Sequence, residues 1–279
     1  MLKTRILTAL ILAPLAIGGI FFLPPLGFAL FTGLVIVIGA WEWANMAGIT
    51  SIMGRVVYAL IMAAVLYAML EVSASLALWV ALLWWVLCFA LIRSYPRGSA
   101  RWSSPAARSA MGILVLVPAW MGLNHLRIGD FQFGISTNNL LLILYVFCVA
   151  WVADIGAYFA GRAFGKAKLA PRVSPGKSWA GVWGGLVAVG LFALLIGVVA
   201  QAARGEVALL ILASLVTGGI SVVGDLMESM LKRYRDIKDS SQLLPGHGGI
   251  MDRIDSLTAA IPVFALIITQ LGWLVPGHW

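Results

Sequence analysis

Long apolar runs separated by short polar breaks make up most of this chain. Runs near 5–23, 27–46, 53–71, 74–92, 108–126, 138–160, 179–201, 206–228 and 257–275 each approach the about 20 apolar residues that a helix needs to cross a bilayer core. The pattern predicts an all-α integral membrane protein with about nine transmembrane helices. Pro24-Pro25 divides the first two runs, because proline lacks the N–H that a continuing helix requires. The polar stretch from Glu71 to Ser75 divides the third from the fourth. A basic start, an apolar run and small residues give the amino terminus the order of a signal peptide. Eight further spans follow it, so it reads as a retained first helix.

Composition agrees. The chain has 279 residues, 62% hydrophobic and 11% charged, whereas a soluble domain is about half apolar and a quarter charged. A net charge of +8 raises the question of nucleic acid, but no soluble domain is left to present a basic face, so nucleic acid is not expected as a partner. The charge belongs instead to loops between spans. With the amino terminus in the cytoplasm and the carboxyl terminus outside, all 19 Lys and Arg except Arg127 and Arg204 fall on the cytoplasmic side, as the positive-inside rule asks. This topology puts both long polar loops, 161–178 and 229–256, in the cytoplasm. It divides the chain into a scaffold of five spans, 1–130, and a region of four spans, 131–279, that carries both of these loops.

Other features suggest structure only. Cys88 and Cys148 lie in apolar runs and form no disulfide or zinc spacing. Trp41, Trp43, Trp84, Trp85, Trp102, Trp273 and Trp279 stand near span ends, where an amphipathic ring suits the interface. The Gly161/Gly165 and Gly181/Gly185 spacings suit close helix packing or a loop. Arg93 to Arg108 reads as a basic loop drawn to anionic headgroups. His125 and His278 have no acidic cluster beside them, so solvation or a local hydrogen bond is expected.

Charges within or at the ends of spans are costly and mark candidates for function. Asp154, near the end of the sixth span, suits either a site or a salt bridge to Arg162 or to a basic residue of a neighbouring helix. The eighth span ends on Asp225, Glu228, Ser229 and Lys232, whose i, i+3, i+4, i+7 spacing shares one helix face. That face can hold a cation with its carboxylates and an anion with its lysine; Glu228 and Lys232 alone would make an ordinary helix pair. Asp252, Asp255 and Ser256 repeat the pattern before the ninth span. Between them lies Pro245-Gly-His-Gly-Gly249, whose glycines let backbone N–H groups approach a ligand, as phosphate-cradling loops do. The set suits phosphate with Mg²⁺, which usually binds through one or two carboxylates and substrate phosphates. A solvated loop that only fixes topology is the plainer alternative.

Rival phosphate motifs fail. Gly176-Lys177-Ser178 resembles the end of a Walker A loop, but Pro171 stands where that pattern needs glycine. There is no Asp-Gly pair to begin a CDP-alcohol phosphotransferase signature, and no Arg-Pro pair as lipid phosphate phosphatases require.

The same residues resemble the signature of the phosphatidate cytidylyltransferases, or CDP-diacylglycerol synthases. Ser229, Lys232, Arg233, Lys238, Asp239, Ser241, Leu244, Pro245, His247, Gly248, Gly249, Ile250, Asp252, Arg253, Ile254 and Asp255 meet every specified position over 27 residues. Upstream, Asp154 to Tyr158, Gly161-Arg162, Phe164 to Lys166 and Ser174 to Trp179 (with Lys177 and Ser178) resemble the family too. Ala180 departs from the polar or acidic residue usual after that tryptophan. The resemblance implies transfer of a cytidylyl group from CTP to phosphatidic acid. It further implies Asp225 and Asp252 as holders of Mg²⁺, with a second cation plausible, and Lys177, Lys232, Arg233, Lys238 and the His247–Gly249 turn as phosphate binders. Asp239 and Asp255 would orient these groups. A homodimer in a bacterial inner membrane, with its site facing the cytoplasm, is the family's expectation. A CTP-dependent lipid or polyprenol kinase is the nearest enzymatic alternative; an ion or anion transporter is the alternative from another class, disfavoured because the charges crowd at span ends and no repeat is visible.

Overall fold

The computed structural model describes Leu10 and residues 14–277. Most of the first predicted span, with Lys3 and Arg5, lies outside the described residues, as do His278 and Trp279.

Helix α1 covers 14–22 within the described residues. It is followed by α2 (Pro25–Ala47), α3 (Ile52–Met69), α4 (Ala74–Ser94), a 3₁₀ turn (Ser99–Trp102) and α5 (Pro105–Ile128). After strand β1 (Asp130–Phe131) come α6 (Asn139–Phe164), β2 (Lys168–Ala170), β3 (Ser174–Ser178), α7 (Trp179–Val199), α8 (Arg204–Tyr234), α9 (Met251–Gln270) and β4 (Leu274–Val275). As predicted, the proline pair sets a boundary: Pro24 caps α2 and Pro25 occupies its first turn, where the missing N–H would be unpaired in any case. Among the described residues, the seven helices α2 to α8 are each long and apolar enough to cross a membrane. The protein is an all-α membrane protein with two minor strand pairs, β1 with β4 and β2 with β3, both antiparallel.

Helix α9 is the interior element. Its residues from Ser256 to Leu266 are all buried, and it packs on α8, α5 and α4. That stretch carries no charge, so it can be enclosed on all sides without burying an ion. Its amino-terminal end meets the end of α8, and beyond its other end β4 pairs with β1.

Three expectations need correction. The polar stretch 229–256 is shorter as a loop, because α8 continues to Tyr234 and α9 starts at Met251. Likewise α6 runs to Phe164, and the rest of 161–178 folds largely as the β2–β3 hairpin. Charged residues paired i to i+4, or placed in a first turn as acids, prolong a helix beyond the apolar stretch. The tryptophans are the second correction. Trp43, Trp84, Trp85, Trp102 and Trp273 are all at most 8% exposed, so they fill the core rather than line an interface. Trp43 donates its ring N–H to the Arg108 carbonyl at 2.8 Å, and Trp102 packs on Tyr234. Third, Arg108 is not a loop residue. It is buried in α5, donates to the carbonyls of Ala47 and Ser103, and lies over the Tyr234 ring.

The glycine spacing has a clear outcome at α7. Gly181, Gly184 and Gly185 approach the backbone of Ala153, Gly156 and Ala157 on α6, so this pair of helices meets through small residues. His125 makes the expected local bond, to the Thr269 hydroxyl at 2.9 Å.

Candidate active site

The site forms where α8 ends and α9 begins. Gly224 makes the approach possible: a Cβ built there would lie 2.5 Å from the Asp255 carbonyl oxygen and 3.0 Å from the Ala259 Cβ. A Gly224→Ala variant should therefore force the helices apart, at about 1–3 kcal/mol for overpacking, and lower the thermal midpoint of the detergent-solubilised protein. An unchanged midpoint with full activity would refute this account of the contact.

The predicted face of α8 is present. Ser229 donates to Asp225 Oδ1 at 3.2 Å, and Lys232 Nζ lies 3.0 Å from Glu228 Oε2. The same ammonium reaches Asp252 Oδ1 on α9 at 2.6 Å. From the β2–β3 hairpin, Lys177 Nζ meets Asp225 Oδ2 at 2.5 Å. Asp154 on α6 has Lys177 and Asp225 as its charged neighbours. It does not pair with Arg162, which donates to the Tyr158 hydroxyl. Asp255 completes the row, between Asp225 and Glu228. Burial first, and then the Asp225 carboxylate, push the Asp255 carboxyl up to about 7. For Asp252 burial acts upward too, but Lys232, the Gly249 N–H and Ser240 together hold it below its ordinary value. Lysines and carboxylates thus form one continuous chain across three elements.

The glycine turn is fixed to the same acids. Leu244 pairs with Gly248, and Gly248 has φ +79°, a conformation that L side chains rarely adopt. Asp252 Oδ2 accepts from the Ser240 N–H at 2.9 Å, the Ser240 hydroxyl at 2.8 Å and the Gly249 N–H at 2.8 Å. His247 has Nδ1 buried without a hydrogen-bond partner, a polar atom that a ligand could satisfy.

One residue of this constellation escaped the sequence reading. Glu42, on α2, is fully buried. Its carboxylate accepts from Ser241 Oγ at 2.6 Å, Met251 N at 2.7 Å, Ile250 N at 3.0 Å and Ser240 Oγ at 3.3 Å. An acid inside an apolar run was the available signal, since such residues are retained for a reason.

The remaining candidates are placed as follows. Arg233 donates from Nε to the Val173 carbonyl at 3.2 Å, tying α8 to the hairpin. Ser178 caps α7 through the Gly181 N–H at 3.1 Å and is buried; its visible role is structural. Ser174 begins β3 opposite Ala170. Lys238, Asp239 and Arg253 are exposed at the mouth of the site.

The carboxylates of the site suit a hard cation. Glu228 Oε1 is buried with no hydrogen-bond donor, and this carboxyl meets Asp255. Two acidic groups in contact, one with its carboxyl raised to about 7, mark a place short of positive charge. All its acidic ligands are oxygen donors, as Mg²⁺ prefers. The residues fit, although among the described residues no three His, Cys, Asp or Glu already converge at metal distance.

Comparison with known proteins agrees with the motif. The sequence model of the cytidylyltransferase family matches residues 3–271. A phosphatidate cytidylyltransferase of Pseudomonas aeruginosa is 49% identical over 278 residues, which is 99% of this chain and 100% of the relative. That of Haemophilus influenzae is 41% identical over 95% of this chain and 98% of its own length. A Bacillus subtilis phosphatidate cytidylyltransferase is 37% identical over 57% of this chain. With a match of this extent over the same helices that build the carboxylate and lysine chain, the protein belongs to the cytidylyltransferase family.

Proposed function

We propose that the protein transfers the cytidylyl group of CTP to phosphatidic acid, releasing pyrophosphate and forming CDP-diacylglycerol. The observation that carries this reading is the Lys177–Asp225–Asp255–Glu228–Lys232–Asp252 row, set at the bundle end beside a glycine turn. The relatives named above carry the same activity in their names.

The lipid phosphate oxygen is already an anion, so the reaction needs little from a general base. Its difficulty is bringing two polyanions into line and offsetting charge at the α-phosphorus. Lys177, Lys232, Arg233 and Lys238 are suited to hold the phosphate groups, and the His247–Gly249 turn offers backbone N–H groups and the unpartnered His247 nitrogen. Asp239, Arg253, Ser174 and Ser229 stand by to orient them, while Ser178 secures the start of α7. Mg²⁺ would be held by Asp225 and Asp252, with Asp255 and Glu228 between them and room in charge for a second cation. When bound, it would neutralise developing phosphate charge as a Lewis acid.

The basic end of the bundle is assigned to the cytoplasm, by the positive-inside rule, of a bacterial inner membrane. The protein is taken to work as a homodimer, which the mass of the detergent complex would check. Purified protein with labelled CTP and phosphatidic acid should form pyrophosphate and CDP-lipid. CDP release with a phosphorylated alcohol would indicate a CTP-dependent kinase instead. Ion flux in vesicles without CTP turnover would indicate a transporter.

A further inference from the structure

Two adjoining cavities flank the site on the side of α4, outside the residues assigned to chemistry. The first is an apolar groove of about 410 Å³ between α4, the β2–β3 hairpin, α7 and α8, with Phe89, Ile92, Val182, Val223 and Leu226 on its walls. The second, of about 590 Å³, is bounded by Arg93, Arg97, Arg101 and Arg172. Arg93, Tyr95 and Arg172 belong to both, so the arginine bowl opens directly into the apolar groove. None of these four guanidinium groups has an ion-pair partner among the described residues, and no carboxylate lines either space. Such a cluster is short of an anion, and Arg is the side chain best matched to phosphate.

The apolar groove runs beside the carboxylate and lysine chain, and the bowl joins it through the groove. Leu226 of the groove follows Asp225 on α8, and Val173 accepts the Arg233 hydrogen bond. Tyr95, which lines both cavities, has Arg233 as a charged neighbour.

We propose that these cavities form a docking subsite for the lipid substrate. In it the phosphomonoester of phosphatidic acid rests on Arg93, Arg97, Arg101 and Arg172, and an acyl chain lies along the apolar groove. From there the headgroup passes Tyr95 and Arg233 to the reacting position. The proposal rests on the reading of phosphatidic acid as substrate. An amphiphile is chosen over a nucleotide because the bowl is continuous with apolar walls, which CTP cannot fill. It is chosen over a bulk anionic lipid because the bowl opens into a groove that runs beside the site.

The two halves of the subsite can be tested separately. Replacing the four arginines by alanine should raise the KM for phosphatidic acid in mixed micelles by about ten-fold or more, as loss of charged hydrogen bonds does. The kcat and the KM for CTP should stay near wild type, since the subsite speeds capture of the lipid and is vacated before the chemical step. For the groove, Gly219 is a suitable probe because it lines the space and a Cβ there meets nothing within 4 Å, so the Gly219→Trp side chain starts unhindered and extends into the groove. It should raise the same KM, most for long acyl chains. A normal KM for phosphatidic acid in both variants would overturn the subsite. A rise in the KM for CTP instead would reassign the bowl to the nucleotide. Stimulation of the wild type by phosphatidylglycerol at saturating phosphatidic acid, absent in the arginine variant, would reassign it to a bulk lipid. If wild-type protein forms no CDP-lipid, the functional reading fails before the subsite is tested.

Discussion

The Glu42→Ala variant is expected to lose CDP-lipid formation by about two orders of magnitude, the scale on which a displacement of about 1 Å affects a reaction. Glu42 holds the loop before α9 through two backbone N–H groups and two serine hydroxyls. Removing it orphans these donors in the interior, at about 1–3 kcal/mol each for a buried group left unpaired. The whole need not be additive, and a total near 3–5 kcal/mol matches the loss of a buried charged partner. Glu42→Gln should fall between, because its amide nitrogen cannot accept. Thermal unfolding in detergent and the rate of pyrophosphate release read the two effects. Wild-type values for both in the alanine variant would remove Glu42 from the site's architecture.

Asp225→Asn and Asp252→Asn should each lower turnover by about 10²–10³-fold, as loss of one preorganised electrostatic group does. The two are expected to differ in other respects. Among the described residues Asp225 bonds Lys177 and Ser229 alone, so its variant should keep a thermal midpoint near wild type and need more Mg²⁺ for half-maximal rate. Asp252 additionally holds Ser240 and Gly249, so its variant should also unfold earlier. An unchanged Mg²⁺ requirement in Asp252→Asn, together with a lowered midpoint, would confine Asp252 to the loop and leave the ion to Asp225 and Asp255.

The spans were readable because crossing a bilayer demands a length and an apolarity that few other structures share. The signature residues of α8 and α9 were readable because their spacing is local: Asp225, Glu228, Ser229 and Lys232 share a face by helix geometry alone. What the sequence hid depended on neighbours far along the chain. A tryptophan at a span end looks the same whether it faces lipid or another helix, and Trp43 and Trp85 prove to be almost fully buried. Arg108 lies in a stretch rich in arginine, yet Trp102, Tyr234 and the end of α2 enclose it. Glu42 stands about 200 residues from the loop it secures, and nothing near it in the chain signals that partner.

The interior position of α9 has a consequence for biogenesis. Every helix packed around it is made earlier: α4, α5 and α8 leave the ribosome first, and α9 follows. The centre of the bundle is therefore filled last, and until then the Glu42 carboxylate has no Ile250 or Met251 to bind. Insertion machinery must keep a gap among the earlier helices until α9 arrives. A nascent chain halted after Tyr234 would have most of its membrane helices but not its middle, and Lys232 without its Asp252 partner.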